Sequence, residues 1–376
     1  MANVFTALQP VLYSAAQEVS NEPFGVISAI AASFDDKGVA IGDLVKLPIA
    51  PVASTSDYTP AMTSAAGTDS TASTVDVQIT ANKFVSWNLT GEQLRSLQNG
   101  STDGEWVRQL IAQGMRALRN GAELAAATAI KQGASRAVGT AGTNPFASDI
   151  SIIPDARKVL FDNGAPMTDL QLCIDSTAGV AARKLGIIQQ AYQAGNDAER
   201  RSGDLMRQFG FSIRESAGIQ VHTKGTGASY VTSGSTAPAV KDIALVTGTG
   251  TVLAGDVVTF VADSSNKYVI GTGVAAPGTI SLGRPGARVT IATANAMTIG
   301  NNYTANLAFE RHAVVGIMRP PVMPDNPLIQ RTLISDKFGM TYLLVQIAGD
   351  GMATWRLHIA YGFKVVQSEH VAIVMG

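Results

Sequence analysis

With 376 residues, 46% of them apolar and only 15% Asp, Glu, Lys or Arg, the chain can build more than one hydrophobic core but carries too little charge to cover its surface in the usual way. Its 28 basic and 29 acidic residues give a formal net charge of -1, which argues against a dedicated nucleic-acid binder and leaves little repulsion between copies. One cysteine, Cys173, excludes an intrachain disulfide and, within the apolar run 170–174, is expected to be a buried structural thiol.

Residues 1–43 mix short helical patterns with Gly and Pro, as an arm draped on other structure would; no secretory leader is legible in residues 1–20, and no run of about 18 apolar residues marks a membrane span. Leu44 to Val52 and Val75 to Thr80 read as paired strands, since Val75, Val77 and Ile79 alternate with Asp76, Gln78 and Thr80. Between them, residues 53–74 contain eleven Ser or Thr and almost no large apolar side chain, which predicts a polar, mobile tip. A simple linker is the alternative.

The best-marked element is a helix over 103–132. Thr102 and Glu105 have capping-box spacing, and Val107, Leu110, Ile111, Met115, Leu118, Ala122, Ala125 and Ala129 recur at helical intervals up to Gly133. About thirty residues make a rod of roughly 45 Å. Arg108, Arg116, Arg119, Glu123 and Lys131 lie mostly off that stripe, so a solvated or intersubunit face is expected of them. Residues 151–222 read as compact α+β: a helix near Asp155 to Asp162, a buried strand at Leu170 to Ile174, a helix through Ala178 to Gln193, and a charge-rich surface loop from Asn196 to Arg207. From 223 to 303 short β-prone runs separated by glycines predict a small all-β module inserted into the larger domain, with runs at Val252 to Ala262, Lys267 to Ile270, Thr279 to Leu282 and Arg288 to Ala292. Residues 304–376 return to α+β character. There Tyr342 to Ala348 and Met352 to Phe363 flank the hairpin dipeptide Asp350-Gly351, and Val371, Ile373 and Met375 alternate.

No motif carries chemistry. There is no phosphate loop, no H-E-x-x-H and no G-x-S-x-G, and Gly248-Thr-Gly250 and Gly271-Thr-Gly273 read as turns of the β module. His222, His312, His358 and His370 are scattered; His358 and His370, on what read as adjacent strands, could approach each other but lack a third ligand. Asp35-Asp36 and the Asp149/Asp155 pair lack metal-ligand spacing. Trp87, Trp106 and Trp355 fall on apolar faces, as core or interface anchors do. No catalytic residue, cofactor site or metal site is expected, and the chain reads as a non-enzyme.

The order of these elements, with Leu253-Ala-Gly-Asp-Val-Val-Thr-Phe260 and the ending Trp355-Arg-Leu-His-Ile-Ala-Tyr-Gly-Phe363 through Val371-Ala-Ile-Val374, resembles tailed-bacteriophage coat proteins. The likeness is to the Hong Kong 97-type capsid fold, and within it to the subgroup with an inserted β domain found in short-tailed Salmonella phages. The resemblance implies an N-terminal arm (1–43), an extended two-stranded loop (44–90), a peripheral domain with the spine helix (91–150), an axial domain (151–222), an inserted β domain (223–303), and a return to the axial and peripheral domains (304–376). It further implies self-assembly into hexamers and pentamers of an icosahedral head shell, a scaffolding protein and a portal as partners, only nonspecific contact with packaged double-stranded DNA, and residence in the virion after assembly in the host cytoplasm. The alternatives are the shell protein of a cellular nanocompartment and another virion structural protein.

Overall fold

The computed structural model describes residues 14–16, 19, 25–34, 37–49, 73–98, 102–189, 205, 207–324, 329–335, 340–349 and 351–376. In chain order the strands are β1 (Ala31–Phe34), β2 (Leu44–Ile49), β3 (Ser73–Gln78) and β4 (Ala81–Thr90), followed by helices α1 (Gly91–Gln98) and α2 (Thr102–Gly133). Then come β5 (Arg136–Val138), α3 (Ile152–Asp162), β6 (Leu170–Ile174), α4 (Ser176–Lys184), α5 (Gly186–Gln189), β7 (Phe211–Glu215) and β8 (Val221–His222). Short strands follow: β9 (Val231–Thr232), β10 (Asp242–Val246), β11 (Val257–Phe260), β12 (Asp263–Thr272), β13 (Thr279–Leu282) and β14 (Met297–Ile299). The chain closes with β15 (Tyr303–Glu310), β16 (Val314–Arg319), β17 (Ile329–Ser335), β18 (Thr341–Ala348), β19 (Met352–Val365) and β20 (Val371–Met375).

A six-stranded sheet runs β1-β16-β19-β18-β17, with β4 along the other edge of β19. One face of it packs on the N-terminal half of α2. Ile111, Met115, Leu118 and Ala122 at helical spacing meet Trp87, Leu89, Trp355, Leu357, Ile359 and Tyr361, which alternate along β4 and β19. Trp87 and Trp355 are cross-strand partners, so two indoles stack one apolar layer under the helix. Gly114 permits the approach: a Cβ there would sit 3.3 Å from the Trp87 ring.

The second sheet runs β7-β6-β15-β20-β5-β12-β13-β10-β9. Its middle is buried on both faces. In β20, Val371, Ile373 and Met375 enter a core shared with Ala126, Ala127 and Ile130 of α2, while Ala372 and Val374 enter a core beneath α3 and α4. The alternation read from the sequence therefore marks two apolar layers, not an inside and an outside. Helix α2 itself changes core partway along, so the buried positions of its last turns are Ala126, Ala127 and Ile130, displaced from the stripe through Ala125 and Ala129. Strands β9 to β14 enclose their own cluster, centred on Tyr230, Ile243, Phe260, Tyr268, Ile280 and Ile291.

Several expectations are corrected. Arg288 to Ala292 is not a strand: Ile291 makes one isolated bridge to Thr236, and the backbone N–H groups of Ala287 and Arg288 bond to the Val240 carbonyl and the Tyr268 hydroxyl in place of a ladder. Gly271 lies inside β12, so Gly271-Thr-Gly273 ends a strand and is no turn, whereas Gly248 and Gly250 have φ of +87° and +82° and do turn the chain. The helix expected through Gln193 stops at Lys184 and resumes for one turn over Gly186–Gln189, Leu185 being extended. The polar tip at 53–72, Asp35-Asp36, most of the loop 196–207, and the side chains of Thr102 and Glu105 lie outside the described residues.

Candidate assembly surfaces and the buried polar knots that shape them

Strands β2 and β3 pair antiparallel through six residue pairs, Leu44 with Gln78 to Ile49 with Ser73, as paired strands and not as a linker. The base of this ribbon is fixed to the six-stranded sheet on the face turned away from α2. Val77 and Ile79 are buried there with Val39, Ile317 and Ala360. Gly362 makes the contact possible, since a Cβ at that position would lie 2.0 Å from the Gln78 carbonyl oxygen. Lys364 donates from Nζ to the Asp76 carbonyl at 2.8 Å. Near this anchored base Ile41 and Leu44 are 64% and 52% exposed, an apolar surface the subunit itself does not cover. Trp106 on α2 is likewise 51% exposed, while Trp87 and Trp355 are core.

Two buried polar knots hold the elements that carry these surfaces. Arg119 and Glu123, expected on a solvated or intersubunit face, are buried, because Val19 and residues 25–27 lie against α2 there and supply them with partners. The Glu123 carboxylate accepts from the backbone N–H groups of Gly25 (3.0 Å), Val26 (2.6 Å) and Ile27 (3.1 Å) and from the Ser216 hydroxyl (2.7 Å). Arg119 donates to the Val19 carbonyl at 2.6 Å. Gly25 is required, as a Cβ would meet Ser216 Cβ at 2.2 Å. A cleft of about 380 Å³ opens beside this knot, lined by Asn120, Leu124, Gly218 and Gln220 as well as by the pair itself.

The second knot lies in the Gly-Asp run. Gly255 takes φ of +93°, which aims the fully buried Asp256 carboxylate at the Leu253 N–H (2.8 Å), the Gly225 N–H (3.0 Å) and Nε2 of His222 (2.9 Å). Lys131, in the last turn of α2, is held below its ordinary range by burial, an effect that Asp256 opposes. Tyr303 donates to the Gly255 carbonyl at 2.6 Å, and burial, then Asp256, pushes its phenol up. The knot ties the end of β8 and residue 225 to the turn before β11, with Lys131 of the helix alongside. Sequence reasoning missed it because His222, Asp256 and Lys131 are remote from one another along the chain; the Gly-Asp pair was the available signal.

The remaining titratable residues occupy separate places. His358 sits in β19 of the first sheet and His370 in a 3₁₀ turn ahead of β20 of the second, so they are not on neighbouring strands. His312 Nδ1 pairs with Glu310 at 2.8 Å. Asp149 accepts from Ser151, which holds its carboxyl below the usual range, and Asp155 is an exposed first-turn residue of α3. Cys173 is buried against the Gly25 carbonyl, and burial pushes its thiol up. Among the described residues no group of three or more His, Cys, Asp or Glu could hold a metal ion. No described helix is long and apolar enough to cross a membrane.

The described residues combine a long helix packed across a sheet, a two-stranded ribbon and exposed apolar side chains. No protein-family model matches the chain, and no curated protein matches it in sequence. Solved structures do: the capsid structure of the cyanophage P-SCSP1u is 11% identical with a TM-score of 0.50, over 94% of this chain and 88% of that one. A structure from Mycobacterium phage Che8 (14% identity, TM-score 0.48, 89% and 84% covered) and the capsid of Ralstonia phage GP4 (9%, 0.47, 92% and 86%) are also similar. The chain has the fold of a phage capsid protein, mixed α+β, along nearly its whole length.

Proposed function

We propose that this chain is the major capsid protein of a tailed bacteriophage, a subunit that self-assembles into the icosahedral head shell enclosing the genome. The observation that carries the reading is the likeness to the cyanophage capsid structure over 94% of the chain at a TM-score of 0.50. In detail the fold is of the Hong Kong 97 type, with α2 as spine helix, the β2–β3 ribbon as extended loop and β9 to β14 as an inserted β domain; a separate core for those strands supports the last point. Function is then geometric. The polar knots, one fixing Val19 and residues 25–27 to α2 and the other fixing β8 and residue 225 to the turn before β11, set the angles at which subunits meet, and the uncovered apolar anchors close against other copies, since obligate interfaces commonly exceed about 2,000 Å². Hexamers and pentamers of the chain, a scaffolding protein and a portal complete the assembly, in the host cytoplasm, and DNA is touched only nonspecifically by a shell of net charge -1 per subunit. The chain performs no catalysis, and it needs no metal or cofactor.

The test is electron microscopy and size-exclusion chromatography of the protein expressed alone and with its neighbouring genes. Closed or aberrant shells are expected in at least one preparation. A monodisperse small species in both overturns the reading, and shells that enclose a cargo enzyme reassign the fold to a cellular compartment.

A further inference from the structure

A cleft of about 250 Å³ opens where β5, α3 and β12 meet. The same place joins strands β9 to β14, which have their own core, to the rest of the second sheet, since β12 pairs with β5 through Lys267 with Ala137 and Tyr268 with Arg136. Its polar lining is Arg136, Lys158, Lys267, Asp155, Ser265 and Asn266. Three cations thus stand against one carboxylate, in a chain whose basic and acidic residues otherwise balance, and no aromatic side chain lines the cleft.

The charges here are only partly compensated. Arg136 is 5% exposed, yet its guanidinium donates to neutral oxygens alone: Nη1 to Asn266 Oδ1 at 2.9 Å, and Nη2 to the Val159 carbonyl at 3.2 Å and Asn163 Oδ1 at 3.0 Å. Burial, then Arg288, hold this guanidinium below its ordinary range, against the opposing effect of Asp162, Tyr268 and Asp263. A buried cation short of counter-charge is costly, and an anion beside it offsets that cost. The two ammonium groups supply donors open to solvent. The Lys158 side chain is 75% exposed and meets only Asp162, one turn on, at 3.5 Å, a weak surface pair. Lys267, half-buried, gives one of its three N–H donors to the Gly139 carbonyl and keeps two. A volume of about 250 Å³ falls below the roughly 300–1,000 Å³ of pockets for organic ligands, and suits a small ion with its water.

We propose that this cleft binds a compact oxyanion of the phosphate class, with Lys158 and Lys267 as direct donors and Arg136 as the buried counter-charge, and that the bound ion clamps β12 to α3. Phosphate brings four oxygens and more than one negative charge, which suits donors arriving from separate elements better than the two coplanar oxygens of a carboxylate. Asp155 opposes the ion and sets a ceiling on affinity. A nucleic-acid backbone carries phosphate too, but the cleft offers no aromatic platform for a base and the chain as a whole lacks a basic excess. The site belongs to one subunit and stands whether or not the chain forms shells.

The test is calorimetric titration of the full-length chain with inorganic phosphate at fixed ionic strength, with chloride as the control ion. Saturable binding of one phosphate per subunit is expected, together with a melting temperature that rises with phosphate and not with chloride, and with slower amide exchange in α3 and β12 than elsewhere. Lys158→Gln should weaken binding about tenfold, the worth of one charge-assisted hydrogen bond. Asp155→Asn should tighten it about threefold by removing a like charge, a gain that a purely structural role for these residues would not produce. Lys83→Gln, exposed on the six-stranded sheet, should change nothing. Lys267→Gln also removes the bond to Gly139, so the variants at the exposed Lys158 and Asp155 decide the matter. Absence of saturable phosphate binding overturns the proposal, as does binding that Lys158→Gln and Asp155→Asn leave unaltered. Duplex DNA retained through Lys158 by a chain that does not bind inorganic phosphate overturns it as well, and assigns these cations to a nucleic-acid backbone.

Discussion

Replacing Glu123 by Gln tests the clasp between residues 25–27 and α2. The carboxylate serves four donors: Oε1 accepts from Gly25 N, Val26 N and Ser216 Oγ, and Oε2 accepts from Ile27 N. A glutamine keeps its oxygen toward the first three but turns an amide N–H₂ at Ile27, leaving that buried donor unsatisfied at about 1–3 kcal/mol. The three surviving bonds lose their charge assistance, worth roughly 0.5–1 kcal/mol each. Together these amount to about 2.5–6 kcal/mol, lowering the melting temperature by several degrees or more in a chain of this size. Denaturant unfolding of the unassembled protein measures the loss, and limited proteolysis should show earlier cleavage near residues 25–34. Ser216→Ala, which removes only one donor, should cost about 1 kcal/mol. A Glu123→Gln loss below about 1 kcal/mol, with proteolysis unchanged, refutes the view that this carboxylate holds the segment.

The tryptophans should separate: Trp355→Ala, in the core, costs about 3–5 kcal/mol of subunit stability, whereas Trp106→Ala leaves the melt within about 1 kcal/mol and reduces shell yield. His358 is held down to about 4, first by burial and then by Arg356, so the unfolded chain binds a proton that the folded chain does not between roughly pH 6.5 and 4. Stability of the unassembled subunit should therefore fall as pH drops through that window, and His358→Phe should flatten this part of the profile; an NMR titration placing His358 near 6.5 contradicts it. Asp256→Asn should raise amide exchange across β9 to β14 before α2 is affected, because three donors converge on that carboxylate; uniform exchange across the chain contradicts a local knot.

Local periodicity made much of the architecture legible. The helix over 103–132 was written in its apolar spacing and is found at Thr102–Gly133, the buried strand at 170–174 is found with the same ends, and the Gly351 turn follows from one dipeptide. Each depends on residues within a few positions of one another, where propensity and pattern act directly. What the sequence could not decide was whether a polar residue faces water. Glu123 and Arg119 sit off the apolar stripe of the helix, and only the crossing of a segment about a hundred residues away turns them from surface charges into buried ones. The same is true of His222 and Asp256, which meet because β8 pairs with β15 and Gly255 turns the carboxylate inward. The gathering of Arg319, Arg331, Arg356 and Lys364 on one face of the six-stranded sheet was equally invisible, since they come from three strands spread between residues 314 and 365 and acquire a common direction only through cross-strand register. Sequence spacing settled which elements form, because that physics is local; tertiary structure alone settled which charges are buried and which surfaces remain for other copies, because those depend on contacts between distant parts of the chain.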